Sequence, residues 1–146
     1  MKTYTLDTAT VLPIIREEIS RTASDAYDDS GASLYDAIVV KSRDEAAVNR
    51  HIDDAMMTIV SRFSEIATIS DDVISFDIPT ARTHSEETLK AAADRYVTLY
   101  ACAAWMMEKH KLKAEDYATR ASDALTKLER LLYEKLPPVR PTHIED

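Results

Sequence analysis

The stretch that decides the fold runs from Ser85 to Leu136 and reads SEETLKAAADRYVTLYACAAWMMEKHKLKAEDYATRASDALTKLERLLYEKL. Its apolar side chains recur at alternating gaps of three and four residues, the spacing of one face of an α-helix. A polar link at His110–Lys113 divides it, so we predict two long amphipathic helices. The two stripes are Leu89, Ala92, Tyr96, Leu99, Ala103 and Met106, then Tyr117, Ala121, Ala124, Leu128, Leu131 and Lys135.

Further helices are predicted before this pair. Thr5–Asp29 has one apolar and one charged face, and Asp7 or Thr8 can cap its first turn. Arg43–Thr68 starts at a capping-box sequence and then keeps a helical apolar spacing. Leu34–Val40 is too short for its period to separate strand from helix. We favour a short helix there, because the run leads straight into the next helix start.

The segment before the C-terminal pair carries a strand pattern. Ile74, Phe76 and Ile78 alternate with polar residues before Pro79. A single strand cannot satisfy its own backbone groups. We therefore expect it to pair either with a strand in Leu34–Val40 or with the same strand of another subunit. A loop packed by Phe76 is the alternative.

These patterns predict a mostly α fold: a helical bundle of four to five helices with a short strand-like insert near residues 73–78. The length suits one domain, expected over residues 1–136. After Leu136 the prolines cannot continue a helix, so residues 137–146 are expected to form an extended proline-rich tail of polyproline character. The one glycine, Gly31, argues against a glycine-rich phosphate loop.

Composition narrows the functional classes. A net charge of −8 disfavours binding to nucleic-acid phosphates. Cys102 lies in an apolar run, where a buried inert thiol is expected, and a single cysteine fits a reducing compartment. No run reaches the ~18 apolar residues of a membrane helix, and Met1–Asp7 lacks a signal-peptide core. We expect a soluble cytoplasmic protein with no membrane partner.

No residue pattern points to catalysis, and no enzyme activity, cofactor or metal site is expected. His51 and Asp54 share a helix face, but helical histidine ligands usually come in i, i+4 pairs, and none is present. Acidic pairs such as Asp71–Asp72 lack the Glu-x-x-Glu and Glu-x-x-Asp spacing of an all-α nucleotide pyrophosphohydrolase. No serine lies in a Gly-x-Ser-x-Gly elbow.

The order of elements resembles the head–tail connector proteins of tailed phages, the adaptor or head-completion family that docks beneath the portal. The resemblance rests on the helix Asp44–Ile66, the strand-like insert after it, and the run ADRYVTLYACAAWMM at Ala93–Met107. AEDY at Ala114–Tyr117 and a long helix closed by prolines complete it. It covers the chain from about Leu34 to Pro141.

The resemblance implies a structural protein of a phage or prophage neck. Such protomers form a ring beneath the portal that joins head to tail and extends the DNA channel, and DNA passes through without sequence-specific binding. The implied partners are further copies, the portal protein and another neck or tail protein, in the host cytoplasm during assembly and then in the virion. The candidate assembly contacts are Ile74, Phe76, Ile78, Pro137, Pro138, Val139, Arg140 and Pro141. The alternative is a non-viral helical-bundle interaction or regulatory protein, which could be dimeric.

Overall fold

The computed structural model describes residues 2–80 and 82–138. Within them the chain forms helices and one small sheet, which confirms the predicted mostly α fold with a strand-containing insert. The elements are β1 (Lys2–Thr5), α1 (Thr8–Ala23), α2 (Tyr35–Ile38), a 3₁₀ turn (Ser42–Asp44), α3 (Glu45–Arg62), β2 (Ala67–Ser70), β3 (Val73–Phe76), α4 (Glu86–Met106) and α5 (Lys111–Tyr133).

The helices α4 and α5 form the predicted hairpin at the centre of the fold. Ser85 caps α4, because its hydroxyl accepts the Thr88 N–H at 3.2 Å. Thr83, which opens a Thr-x-x-Glu sequence with Glu86, does not cap the helix, because its hydroxyl donates to the Pro79 carbonyl instead. The predicted stripes are buried apart from Ala92, which is half-buried, and Lys135, which is exposed beyond the end of α5 at Tyr133.

Helix α3 is shorter than predicted. It ends at Arg62, and residues 67–68 of the predicted helix Arg43–Thr68 belong to β2. The helical spacing of apolar residues continues through Phe63 and Ile66, so the sequence pattern does not locate the C-terminal end of α3. The Phe63 carbonyl accepts the N–H groups of Ile66 and Ala67 at 2.9 and 2.7 Å, so the chain turns there.

The predicted first helix, Thr5–Asp29, is also too long at both ends. Thr5 lies in β1, and Asp7 caps α1 by accepting the Ala9 N–H at 3.0 Å. The helix ends at Ala23, where the Ser24 hydroxyl donates to the Arg21 carbonyl and competes with continued helical bonding. The prediction for Leu34–Val40 is confirmed, since α2 occupies Tyr35–Ile38.

The strand pattern is real, but both predicted partners for it are wrong. β3 is the central strand of an antiparallel sheet of order β1-β3-β2. Ile74 lies opposite Tyr4 of β1 on one side and Ile69 of β2 on the other. The hairpin between β2 and β3 turns at Asp71, whose positive φ of 54° an aspartate tolerates better than most residues. Leu34–Val40 contributes no strand to this sheet.

Two polar anchors fasten α2 and the sheet to α4. The Trp105 indole N–H donates to the Ile38 carbonyl at 2.6 Å and fixes α2 on α4. The buried Tyr4 donates its hydroxyl to the Asp94 carboxylate at 2.5 Å and fixes β1 on α4. Both anchors satisfy groups that would be costly to bury alone.

Candidate docking surfaces

Three of the predicted assembly contacts lie in the hydrophobic core. Ile74 and Phe76 are 0% exposed and Ile78 is 7% exposed. Both edges of their strand are already paired within the chain. An open strand edge was the reason for choosing these residues, and the sheet closes that edge. These three side chains are therefore covered within the chain itself.

The C-terminal tail leaves the fold from a fixed point beside the start of α4. The Leu136 N–H donates to the Arg82 carbonyl at 2.7 Å, and the Arg82 Nε–H donates to the Leu136 carbonyl at 2.9 Å. Arg82 adopts a left-handed φ of 62°, which is uncommon for a residue with a side chain. These paired bonds hold the chain just before Pro137.

Further contacts hold the same region against the sheet and α5. The buried Lys2 donates its ammonium group to the carbonyls of Thr83 and His84. His84 Nε2 lies 3.3 Å from Glu134 Oε2. We call Arg82–Ser85, together with these partners, the tail anchor.

The predicted tail contacts begin directly after the tail anchor. Pro137 and Pro138 are exposed. Val139, Arg140 and Pro141 lie outside the described residues. The two described prolines are therefore available to a partner, and the anchor fixes the direction in which they leave.

A long groove crosses α4 between α3 and α5, mixed in polarity beside α3 and apolar towards Met107, and sequence reasoning missed it. One section, of about 530 Å³, is lined by α3 residues together with Tyr100 and Leu125. The other, of about 380 Å³, shares Tyr100 and Leu125 and continues to Met107. Because they share these residues, the sections are continuous, and we call them the α4 groove. Its lining is Asp54, Met57, Thr58, Ser61, Arg62, Tyr96, Tyr100, Ala103, Ala104, Met107, Ala118, Ala121, Ser122 and Leu125.

The α4 groove combines an aromatic floor with small and flexible apolar walls. The rings of Tyr96 and Tyr100 lie 5.9 Å apart at a 52° tilt. Met57 and Met107 are 54% and 63% exposed at its rim, and methionine side chains are flexible enough to pack against partners of different shape. The exposed Met57 and Met107 and the half-buried residues 100, 104 and 125 come from α3, α5 and the C-terminal half of α4, so no single helical pattern in the sequence reveals them.

A second groove runs along the other flank of the α4–α5 pair and is charged. Its volume is about 690 Å³, with an alanine floor and a rim that includes Arg95, Lys127 and Asp123. Oppositely charged side chains alternate along it. Its floor is as apolar as that of the α4 groove, so the two grooves differ mainly in the charged side chains on the rim of this one.

A polar cleft of about 750 Å³ separates α1 from the start of α5. The Tyr117 hydroxyl hydrogen-bonds to Thr22 and donates to Glu18 at 3.1 Å. Burial raises the pKa of Tyr117 to about 12, and burial likewise raises the pKa of the Cys102 thiol beneath it to about 12. Both groups are therefore protonated at neutral pH, and neither is an activated nucleophile.

No group of three or more histidine, cysteine, aspartate or glutamate side chains within residues 2–80 and 82–138 is arranged to hold a metal ion. His51 and Asp54, considered for this role, lie on the outer part of α3. None of the helices in these ranges is long and apolar enough to cross a membrane.

No protein-family model, curated protein or solved structure matches this chain.

Proposed function

We propose that this protein is a structural component of a phage or prophage neck, forming a ring beneath the portal that joins head to tail. The observation that supports the proposal is the α4 groove on three packed helices, where the exposed Met57 and Met107 flank the half-buried Tyr100. Apolar surface of this kind marks a contact with another protein. The role is mechanical and uses no catalytic residues.

The surface charge fits a channel wall for DNA. With a formal net charge of −8, the protein repels the phosphate backbone, so DNA passes without being held. The proposed partners are further copies of this chain, the portal protein and a further neck or tail protein. The helical core supplies a rigid body that holds the contact surfaces in place.

The test is assembly, measured by light scattering and electron microscopy at rising protein concentration, with and without a portal ring. We expect closed rings or portal-bound copies. Met107→Glu, in the groove, should abolish them. Leu112→Glu serves as the matched control, because Leu112 is 74% exposed but lies outside the groove. A monomer that ignores every portal offered, or a discrete dimer of two copies, would instead favour a non-viral interaction protein.

Catalysis is tested separately by a nucleotide-hydrolysis screen supplemented with divalent metals. The proposal expects no turnover above the background of heat-denatured protein. Clear turnover that follows the protein through purification would replace the structural role with an enzymatic one.

A further inference from the structure

We propose that the outer edge of β2 receives an extended basic segment of another protein as an added strand. The inference goes beyond the neck role and does not depend on it. It follows from three observations: the backbone groups of β2 that point away from the sheet, an open cleft beside them, and the carboxylates that line this cleft.

The register of the sheet shows which backbone groups of β2 point outward. The Asp77 N–H donates to the Ile66 carbonyl at 2.7 Å, which makes these residues a hydrogen-bonded pair that continues the β2–β3 register. Hydrogen-bonded pairs alternate with non-bonded ones along an antiparallel ladder, so Thr68 and Ser70 bond to β3. Ile69, which lies between them, therefore directs its N–H and its carbonyl away from the sheet. An outward-facing edge of this kind is where an extended peptide adds to a sheet.

The opposite edge of the sheet, on β1, is guarded by a lysine. The Lys90 ammonium group donates to the Thr5 carbonyl at 3.4 Å and pairs with the Asp94 carboxylate at 3.1 Å. A lysine at a strand edge is one of the means by which proteins keep other strands away. It also repels a basic segment. The edge of β2 is therefore the one that suits a basic strand.

An open cleft of about 530 Å³ lies between α3 and β2, beside the outward groups of Ile69. Met56 and Met57 of α3 and Ile69 of β2 form its apolar part. Met57 is 54% exposed, so an incoming segment can pack against its side chain. The cleft thus offers backbone partners and apolar surface side by side.

The charge of the cleft selects the occupant. Its other lining residues are Asp53, Asp71 and Asp72, and the lining described includes no basic side chain. All three aspartates are exposed, and none forms a salt bridge within residues 2–80 and 82–138. A lysine or arginine on an added strand can lay its aliphatic stem over Met57 and bring its charge to these carboxylates. The occupant is therefore an extended segment with basic residues at alternate positions, because side chains at i and i+2 share a face.

A second copy of this chain supplies no such segment. Its β2 has the sequence ATIS, contains no basic residue, and lies between Glu65 and Asp71. Its β1 has one basic residue, Lys2, whose side chain is buried in its own fold. Its β3 is paired on both sides. The basic strand must come from a different protein.

The first experiment tests the open edge by hydrogen exchange of isotope-labelled full-length protein, followed by NMR. We expect the Ile69 amide to exchange about tenfold or more faster than the Thr68 amide, which is bonded to β3. Similar protection of the two amides would overturn the assignment. An Ile69 signal that shifts as the protein concentration rises would show a second copy on the edge, and this too would overturn it.

The second experiment titrates a synthetic peptide of alternating lysine and threonine, about eight residues long, into the same labelled protein. We expect saturable shifts centred on Ile69 and Met57, and slower exchange of the Ile69 amide. A peptide with glutamate in place of every lysine is the matched control and should not bind. The absence of saturation up to ~1 mM peptide, shifts centred on Thr3 of β1, or equal binding of the glutamate peptide would overturn the proposal.

The third experiment separates strand addition from attraction by charge alone. In an extended peptide the N–H groups of the lysines point to one edge and those of the threonines to the other, and only one edge can face β2. N-methylation of one set should weaken binding about tenfold or more, because the methyl groups block the bonds to Ile69. N-methylation of the other set should change binding by less than about twofold. Equal effects of the two sets would overturn the proposal.

The fourth experiment removes carboxylates from the cleft. Asp53→Asn together with Asp71→Asn should weaken binding of the lysine peptide about two- to fivefold for each charge, the range for an exposed ion pair. Asparagine tolerates the left-handed φ of 54° at position 71, so the turn is kept. Asp29→Asn together with Asp123→Asn is the matched control, because both residues are exposed and lie outside the cleft. Equal loss in the two double variants would show attraction by net charge and would refute the assignment.

These outcomes separate the two proposals. Rings that form while the lysine peptide fails to bind would reject the docking edge and leave the neck role standing. Peptide binding at Ile69 by a chain that forms no rings and ignores every portal would support the docking edge and reject the neck role.

Discussion

Replacing Trp105 gives the sharpest test of how the core is built. The indole ring is 7% exposed, and its N–H donates to the Ile38 carbonyl at 2.6 Å. Trp105→Ala removes the buried ring and the bond together, and should cost ~3–5 kcal/mol of unfolding free energy. Trp105→Phe keeps most of the apolar surface but leaves the Ile38 carbonyl unpaired, and should cost ~1–3 kcal/mol.

The assay is urea unfolding followed by far-UV circular dichroism, since Trp105 is the chain's one tryptophan and fluorescence would be lost with it. Met107→Ala is the control, because Met107 is 63% exposed on the same helix end and should change the free energy by less than ~0.5 kcal/mol. A loss below ~1 kcal/mol for Trp105→Ala would show that the ring is not part of the core. A Trp105→Phe variant as stable as wild type would show that the bond to α2 contributes nothing.

Four further predictions concern the C-terminal tail and three individual side chains. Deleting residues 136–146 should keep the helix content seen by circular dichroism and weaken assembly, and it should cost ~1–3 kcal/mol of unfolding free energy because the two bonds to Arg82 are lost. Deleting residues 137–146 should weaken assembly alone. Loss of the folded state in either case would place the tail in the core. Ser85→Ala should cost ~0.5–2 kcal/mol in urea unfolding because α4 loses its cap, and no change would refute the capping role. Tyr4→Phe should cost ~1.5–3 kcal/mol, since a hydrogen bond to the Asp94 carboxylate is lost, and a neutral result would make that contact dispensable. Burial raises the pKa of Cys102 to about 12 in the folded chain, against an ordinary 9.0, so the thiol ionises at lower pH in the unfolded chain. The stability that is present below pH 9 is therefore lost as the pH rises towards 12. Cys102→Ala should make that loss shallower, and an unchanged pH profile of the unfolding free energy would contradict burial of the thiol.

The helices were predictable from sequence because their signal is local. The apolar stripes of α3, α4 and α5 repeat over several turns, and burial follows them closely. The ends were harder, since Phe63 and Ile66 continue the helical spacing after the helix has stopped. Residues beyond a helix can keep its period by chance while packing in a turn, so period alone does not fix a terminus.

The sheet could not be derived from local pattern. β1 has four residues, too few for a period of two to stand out, although Tyr4 and Leu6 do alternate with threonines. Its pairing with β3 joins residues about seventy positions apart, from Lys2 opposite Phe76 to Thr5 opposite Val73. Choosing a partner at that separation depends on which faces the helices leave open. The sequence therefore predicted a strand and misplaced its neighbours.

The same long-range packing determines which surfaces remain open to a partner. Ile74 and Phe76 looked available because a lone strand needs a partner, and the chain itself supplies two. The α4 groove depends on side chains from three helices, including Met57 and Leu125, and it exists only after packing. The proline-rich tail, by contrast, can be predicted from the sequence, since a proline in its interior breaks a helix.

The tail anchor fixes the point at which the proline-rich tail leaves the fold. A left-handed φ at a residue such as Arg82 costs on the order of 1–2 kcal/mol, and the two bonds to Leu136 offset that cost. Once Leu136 is fixed, Pro137 and Pro138 leave in one direction with little freedom to lose on binding. The tail anchor therefore presents Pro137 and Pro138 at a defined place on the surface, beside the start of α4, where a partner can meet them in one arrangement.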